Sequence, residues 1–595
     1  MQKAMNRTLD PCRFFYEYVC GNWERAHPGA VDTFQVIEQA VLDTVNETIK
    51  NARVNPFRRS ATERVTAAVQ SCWAVASEKQ ENLAGLSDFL RRHNIDLPPT
   101  RTEGLPSPID VMMKLNLLLN IRTVLFVQPE LDLRSQDRMI LTFHPNNNLL
   151  KEFLTGFKQA TPAPAVYING QSFARDVVQV HNRFQYWHYV ARSTSPSYMT
   201  VHQIADGTPY ISATNWTNAI NSGLLEPIST ETTFYVRSTQ TLQIVNLLMR
   251  EYRRNPRPAL NWITMFVHFY FASASSYQLQ QTFGNLSSRC MDYMTYIAPH
   301  ALNVLVTEQK VSTDDVQTAK HIFQHMKRAS GTFFSWMDNR TRALALRRFD
   351  KLSLTLGVPR KFYSPALLEK EYAFLPLFRG TFLEELLSAF RDKASIAIFE
   401  YTYGPKGQTM DRDVLSFSLV PPITNAYFFR YIHTIYFPTV ILAKPLLVVE
   451  SLAATYGSFG SILGHEIGHA FDPISQSMDP GGGKEEWMSS RSRRDYQARI
   501  DCVIRLYDAT GVRVDTNYSV ATLNENFADI LGLQIALAAL ESDPCVRLDA
   551  ESPVKGFTNR QLFYVSFCNQ YCAHRWLAYN YFDGPHAGYY HSSGV

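Results

Sequence analysis

The residues best suited to chemistry are two histidines that frame a glutamate, in the order His465-Glu466-Ile-Gly-His469. On a helix, positions i and i+4 lie on one face, so His465 and His469 can offer imidazole nitrogens to one zinc ion. Glu466 lies beside them and is placed to take the proton of an attacking water and pass it to a leaving amine. The pattern indicates zinc-dependent hydrolysis, although a helix that merely contains two histidines would read the same way.

A catalytic zinc site needs a third protein ligand, and the best candidate is Glu525 in Asn-Glu-Asn-Phe-Ala-Asp529. Glu525 and Asp529 are four positions apart on a predicted helix, so both carboxylates can face the histidines. Glu525 would bind zinc, and Asp529 would accept the spare N–H of a ligand histidine; Asp472 could do the same for the other histidine. A solvated acidic face is the alternative, but the neighbouring residues are apolar and buried carboxylates need partners.

Hydrophobic periodicity predicts the elements that must position these residues. The first 400 residues read as mostly helical, and the clearest predicted helices are Val36–Ala52, Ser60–Ser77, Glu231–Arg253 and Ser312–Met326. The residue pattern changes near residue 410. Two segments there are rich in β-branched and aromatic residues and predict strands, Val414–Val420 and Ile435–Ile441. The site itself is predicted on helices, which follow at Phe459–Asp472, Ser489–Leu506 and Leu523–Leu540.

Composition bounds the class of protein. A chain of 595 residues exceeds what one hydrophobic core usually serves, so two or more lobes are expected. The net charge of +4 and the scattered basic residues exclude a nucleic-acid binder. No apolar stretch approaches the roughly 20 residues needed to cross a bilayer, and the start lacks a secretory signal. Asn-X-Ser/Thr triplets nevertheless favour an extracellular chain whose targeting segment is absent here; they begin at Asn6, Asn46, Asn215, Asn285, Asn339 and Asn517.

The two motifs, His465–Asp472 and Glu525–Asp529, together resemble the paired signature of the neprilysin and endothelin-converting-enzyme family of zinc metallopeptidases. Further segments resemble that family in the same order along the chain: Pro11–Trp23, Trp336–Asp338, Leu356–Pro359 and Asn425–Tyr427. The resemblance covers nearly the whole chain, whereas the zinc motif alone would indicate only a broad superfamily.

The resemblance implies a mainly α (α+β) fold, in which a thermolysin-like zinc lobe is joined by a larger helical lid lobe around a central cavity. Residues 1–60 would pack on the catalytic lobe, 61–409 would form the lid, and 410–595 would form the catalytic lobe. It further implies one Zn2+ per chain and cleavage of short extracellular peptides before hydrophobic residues. Asn425 and Ala426 would hydrogen-bond the substrate backbone. Ile462 and Ile441 are candidate walls of the pocket for that hydrophobic residue, or simply core residues.

The eight cysteines gain meaning from the same resemblance. It implies that Cys20 pairs with Cys572 and that Cys72 pairs with Cys290. In the family, the equivalents of Cys12 and Cys502 bond to cysteines near the carboxyl terminus, which have no counterpart here. The two remaining cysteines, Cys545 and Cys568, lie outside the family pattern, and we expect that they could pair with each other.

The carboxyl terminus departs most from the family. His591 is matched to the histidine that stabilises the oxyanion of the tetrahedral intermediate; His586 competes for that role, and either could be a surface residue. The arginine that fixes the substrate carbonyl has no counterpart, so we expect an incomplete chain or a fragment, with a natural short form as the alternative. Two functions follow: an active endopeptidase, or a catalytically weak homologue that binds peptides or proteins. The sequence leaves the oligomeric state open.

Overall fold

The computed structural model describes residues 1–132, 134, 138–160, 163–191, 196–283, 288–404, 425–430, 432–478, 486–508 and 518–574. Most of them are helical, and the predicted fold class, mainly α with a smaller β component, is confirmed. Within these ranges, no helix combines the length and the apolar character that crossing a membrane requires.

The helices, numbered in chain order, are α1 Phe15–Cys20, α2 Trp23–Ala26, α3 Thr33–Asn51, α4 Ala61–Ser77, α5 Leu83–Arg92, α6 Pro108–Leu119, α7 Asn147–Ala160, α8 Ala163–Val190, α9 Val201–Gly207, α10 Ala213–Asn221, α11 Thr239–Tyr252, α12 Arg257–Tyr270, α13 Ala272–Ser275, α14 Tyr277–Phe283, α15 Ser288–Ile297, α16 Pro299–Lys310, α17 Thr313–Ala329, α18 Asn339–Asp350, α19 Pro365–Glu371, α20 Phe382–Tyr403, α21 Leu452–Thr455, α22 Ser461–Gly468, α23 Ser490–Asp508, α24 Tyr518–Ala521, α25 Leu523–Ser542 and α26 Asn559–Asn569. The strands are β1 Leu125–Leu131, β2 Met139–Pro145, β3 Ser197–Thr200, β4 Thr233–Val236, β5 Ser353–Leu356, β6 Tyr427–Phe429 and β7 Thr434–Phe437.

The chain forms two compact units that do not follow a single cut in the sequence. The first unit contains residues 1–48, 303–365 and 410–595, and the second contains 49–302 and 366–409. Residues 303–365 therefore belong with the carboxyl-terminal part, whereas the boundaries drawn from the sequence place them in the helical lid. The amino-terminal segment of the first unit ends at residue 48, whereas the sequence boundary is drawn at residue 60.

The described residues of the second unit are mostly helical and form one small sheet. Its strand order is β1-β2-β4-β3, with β2 and β4 parallel and the other pairs antiparallel. Aromatic side chains fill its core; for example, the rings of Phe184 and Trp262 stack with centroids 4.0 Å apart. The predicted helix Glu231–Arg253 is wrong at its start, because Thr233–Val236 pairs with two strands and only α11 is helical.

The first unit contains a three-stranded sheet of order β5-β7-β6, whose residues share an apolar core with the helices. β7 is parallel to β5 and antiparallel to β6. The predicted strand Ile435–Ile441 is only partly extended, because Thr439–Leu442 forms a 3-10 turn after β7. The predicted strand Val414–Val420 lies outside the described residues. The predicted helices around residues 489–506 and 523–540 are present as α23 and α25.

Two disulfides each close one unit. Cys20 bonds to Cys572 in the first unit, where α1 packs against α26, and Cys72 bonds to Cys290 in the second. The expectation that Cys545 pairs with Cys568 is wrong. Both thiols are free, because Cys568 is buried beside the Cys20–Cys572 bridge while Cys545 is exposed after the end of α25. The remaining cysteines, Cys12 and Cys502, are free and exposed.

Candidate active site

One continuous helical segment carries the histidine motif. It runs through α21, a π-helical turn at Tyr456–Gly460 and α22, and His469 caps its end. The side chains of His465 and His469 point from one face, as the four-residue spacing predicts, and both residues are buried at 3% and 8% exposure. The π turn inserts a wider loop of backbone just before the histidines, a feature common near functional sites.

Glu525, at the start of α25, brings a carboxylate to these imidazoles. Its Oε2 atom lies 3.3 Å from Nε2 of His465 and 3.5 Å from Nε2 of His469. The three donor atoms all lie within 4.8 Å of one another, so small side-chain adjustments would let them surround one ion. Two imidazole nitrogens and one carboxylate oxygen are the donor set of catalytic zinc sites. The residues present therefore fit zinc.

Carboxylates also engage the outer nitrogens of both histidines. Nδ1 of His465 donates to Oδ1 of Asp529 at 2.7 Å, and Nδ1 of His469 donates to Oδ2 of Asp472 at 3.0 Å. Protons held on both Nδ1 atoms leave the Nε2 lone pairs directed toward Glu525. The structure therefore brings Asp529 and Asp472 to the two histidines, and their role in orienting metal ligands remains a prediction.

Arg430 extends this network from the sheet. It follows β6, and its Nη2 donates to Oδ2 of Asp472 at 2.7 Å while its Nε donates to Oγ of Ser475 at 2.8 Å. The other oxygen of Asp472 accepts the backbone N–H of Ser475 at 2.6 Å. Asp472 is thus fully buried and has three partners, which keeps its carboxylate ionised and fixed.

Small residues allow α22 and α25 to pack with their backbones in close contact. A Cβ added to Gly464 would lie 2.3 Å from the carbonyl oxygen of Gly532, and one added to Gly468 would lie 2.7 Å from Cα of Ala528. Real Cβ atoms do not approach other atoms this closely, so only glycine permits the observed crossing of α22 and α25. The four positions form two pairs spaced i, i+4, which places backbone against backbone.

The ionisable groups of the site shift one another's pKa values. Burial would raise the pKa of the Glu525 carboxyl, but the hydrogen bonds and charge of the two histidines hold it well below its usual range. Burial would lower the pKa of His465, but Asp529 and Glu525 raise it. A cluster of carboxylates therefore favours positive charge at the centre of the site, which a divalent cation also supplies.

Glu466 is 3% exposed and lies in α22 between the two histidines. Burial raises the pKa of its carboxyl, and the nearby histidines only partly counter this. A carboxyl whose pKa lies above its usual range is better matched to taking and returning a proton near neutral pH.

The predicted substrate residues adjoin the edge of the sheet. Asn425 is exposed, Ala426 is buried, and both lead directly into β6, which contacts the helix that carries the histidines. Among the described residues, β6 pairs on one side only, with β7. Ile462 and Ile441 both belong to the apolar core of this unit, at 9% and 1% exposure, which agrees with their alternative role as core residues.

His591 and its competitor His586 lie outside the described residues. Sequence reasoning missed Arg430 and the glycine contacts. The small-residue spacing of Gly464 with Gly468 was a readable signal for the contacts, whereas nothing local marks Arg430 as the partner of Asp472.

A mainly helical chain whose HEXXH-type helix meets a glutamate from a second helix is typical of zinc-dependent metallopeptidases. Two models of peptidase family M13 match residues 11–359 and 425–584, so the chain belongs to peptidase family M13. The predicted kinship with the neprilysin and endothelin-converting-enzyme group is confirmed, and the chain is a metalloendopeptidase by class. Membership implies a zinc cofactor.

Curated relatives match over almost the whole chain. Neprilysin-1 of Trittame loki is 23% identical over 96% of this chain and 86% of its own length. Endothelin-converting enzyme 1 of Cavia porcellus is 23% identical over 96% of this chain and 80% of its own length.

Solved structures share the fold at lower identity. The zinc metalloprotease Zmp1 of Mycobacterium tuberculosis, in complex with an inhibitor, matches with a TM-score of 0.67 and 18% identity over 96% of this chain and 90% of its own. PepO of Lactobacillus rhamnosis matches with a TM-score of 0.68 and 15% identity over 94% and 89%.

Proposed function

We propose that this protein hydrolyses short peptides at a single zinc site held by His465, His469 and Glu525, with Glu466 as the general base. The observation that carries the proposal is the approach of the Glu525 carboxylate to both Nε2 atoms at 3.3 and 3.5 Å. When bound, zinc supplies a Lewis acid that polarises the peptide carbonyl and acidifies water.

The protein's own residues divide the remaining work. Glu466 takes the proton of the attacking water, holds it on its carboxyl, and gives it to the amine nitrogen as the peptide bond breaks. Asp529 and Asp472 keep the Nδ1 protons of the histidines in place, so that both Nε2 lone pairs remain available. The glycine contacts between α22 and α25 hold the three donors at a fixed separation, which preorganises the site.

The substrate would lie along β6. An extended peptide can add to a strand edge through main-chain hydrogen bonds, and Asn425 and Ala426 begin this edge next to the histidine helix. We infer cleavage on the amino side of hydrophobic residues from the kinship with the neprilysin and endothelin-converting-enzyme group.

We place the activity outside the cell, on a secreted protein or an ectodomain. Two disulfides support this, since such bonds persist in oxidising compartments, and Asn215 and Asn339 are exposed in glycosylation triplets. Expression in a secretory host followed by peptide N-glycosidase treatment tests the assignment. A chain that reaches the medium and loses mass on treatment supports it, and retention of unglycosylated chain in the cell contradicts it.

The decisive experiment pairs zinc content with cleavage of a quenched fluorescent peptide that has one central hydrophobic residue. Glu466→Gln should keep its zinc and lose about 100- to 10,000-fold in kcat, because it removes only the general base. Glu525→Gln should lose zinc as well as activity. If the wild type binds zinc but shows no cleavage that Glu466→Gln abolishes, the chain would instead be a peptide-binding homologue.

A further inference from the structure

A second group of potential ligands lies in the first unit, apart from the residues of the catalytic proposal. His321 and His325 are four positions apart on α17, so both imidazoles extend from one face of that helix. Their ring centroids are 4.3 Å apart, and Asp543 at the end of α25 completes the group. One donor atom from each of the three residues lies within 4.8 Å of the other two.

The carboxylate of this group is buried, and several hydrogen bonds fix its position. Asp543 has a fully buried side chain, and its Oδ2 accepts from Nε2 of His321 at 2.7 Å and from the hydroxyl of Tyr456 at 2.9 Å. Its Oδ1 accepts the backbone N–H of Cys545 at 2.9 Å. An ionised carboxylate at this depth requires positive or hydrogen-bonding partners, and the Tyr456 hydroxyl is an orienting partner of the kind that carboxylate ligands have.

His325 adds an imidazole that the local structure leaves uncommitted. In the described part of the chain, no hydrogen bond engages its ring, and its close neighbour is the ring of His321. An ion held by His321 and Asp543 would therefore reach a ring nitrogen of His325 without displacing a hydrogen-bond partner of that ring.

We propose that His321, His325 and Asp543 form a second, structural binding site for a zinc ion. Two imidazoles and one carboxylate favour zinc over the harder ions Mg2+ and Ca2+, which prefer all-oxygen sites. The side chain of His321 is 34% exposed while that of Asp543 is fully buried, so an ion can enter from solvent and still find an anchored carboxylate. An ion bound at Nε2 of His321 would take the place of the hydrogen bond between this nitrogen and Asp543.

The position of this site gives it a structural role. α17 packs along α25, and Asp543 ends the same helix whose first turn carries Glu525. Tyr456, the hydrogen-bond partner of Asp543, begins the π turn that leads to His465. An ion at this group would therefore tie α17 to both segments that supply the catalytic ligands, and it would raise the stability of the unit without contacting substrate.

Zinc stoichiometry tests the proposal on the full chain after chelation and dialysis against a small excess of Zn2+. The wild type should hold one more zinc ion per chain than either His325→Gln or the double variant His465→Gln/His469→Gln. The triple variant, which combines all three of these substitutions, should hold no zinc. His202→Gln changes an exposed histidine elsewhere and should bind as much zinc as the wild type. A surplus of Mg2+ should displace no zinc from the double variant.

Two readouts separate a real site from a folding defect. Zinc should raise the melting temperature of the double variant but not of the triple variant, with circular dichroism confirming that both are folded. Crystals of the wild type grown with Zn2+ should show anomalous density between His325 and Asp543. Equal zinc content in the wild type and His325→Gln, with no anomalous peak there, overturns the proposal. A wild-type chain that holds zinc between His325 and Asp543 but none at His465 and His469 would contradict the proposed function and leave this site standing.

Discussion

Nδ1 of His465 lies 2.7 Å from the carboxylate of Asp529, which follows Glu525 by four residues on the same helix. One turn of α25 therefore supplies both a candidate metal ligand and the group that orients a second ligand. The same logic repeats at the other histidine, where Asp472 lies three residues beyond His469. The site is thus built from short sequence spacings on two helices, and its accuracy depends on how closely those helices pack.

Asp529→Asn should weaken zinc binding by about 10- to 100-fold, because the amide no longer provides a carboxylate to hold the Nδ1 proton of His465. Chelator competition measures the affinity, and peptide cleavage at saturating zinc measures kcat and KM. We expect the loss to fall mainly on zinc affinity and kcat, with KM little changed.

The control for this variant is Asp501→Asn on α23, an exposed carboxylate whose side chain accepts from Gln497. It should behave like the wild type. Unchanged zinc affinity in Asp529→Asn would show that the 2.7 Å contact has no part in metal binding.

The grouping of His465, His469 and Glu525 could be predicted from the sequence because the histidines, and likewise Glu525 and Asp529, are four positions apart on helices. That these residues bind zinc remains a proposal. Arg430 could not be predicted, since it reaches Asp472 across 42 residues and depends on where β6 lies. The start of the predicted helix Glu231–Arg253 failed for a different reason: Thr233–Val236 consists of β-branched and aromatic residues, which favour strands, and it pairs with β2 and β3.

Gly464→Ala should damage the site without touching any ligand. The new methyl group would lie 2.3 Å from the carbonyl oxygen of Gly532, so α22 and α25 must separate. Overpacking of this kind costs about 1–3 kcal/mol of unfolding free energy, and the displaced donors should also bind zinc less tightly. Thermal unfolding of the metal-free protein and zinc titration measure the two effects.

Gly331→Ala is the matched control, because a Cβ there meets nothing within 4 Å and the residue lies in the same unit. It should leave both stability and zinc affinity near their wild-type values. If Gly464→Ala behaved like Gly331→Ala, the close helix crossing would not constrain the site.

Acid should destabilise the second unit through His268. Burial lowers the pKa of this histidine to about 4, whereas an unfolded histidine titrates near 6.5. Between those values the unfolded chain binds more protons, so the stabilisation is complete above pH 6.5 and is lost as the pH falls toward 4. The slope is about 1.4 kcal/mol per pH unit, or roughly 2 kcal/mol between pH 6.5 and 5.

His268→Gln should reduce this pH dependence by that amount, as measured by urea unfolding at pH 7, 6 and 5. His181, whose pKa burial also lowers to about 4, should keep part of the acid sensitivity in the variant. His202→Gln alters an exposed histidine of the same unit and should leave the pH dependence unchanged. An identical slope in His268→Gln and the wild type would exclude His268 as a source of acid sensitivity.

Arg430→Gln should affect both zinc binding and peptide binding, because this side chain joins β6 to the carboxylate that orients His469. Its guanidinium donates to Asp472 at 2.7 Å and to Ser475 at 2.8 Å, and the buried Asp472 would lose its charged partner. We expect lower zinc affinity together with a higher KM, since the substrate edge would no longer be fixed. Arg493→Gln, on an exposed arginine that pairs with Glu486, is the control. A rise in KM at saturating zinc would show an effect on β6 that is separate from the effect on metal binding. An unchanged KM at saturating zinc would show that Arg430 acts only on the orientation of His469.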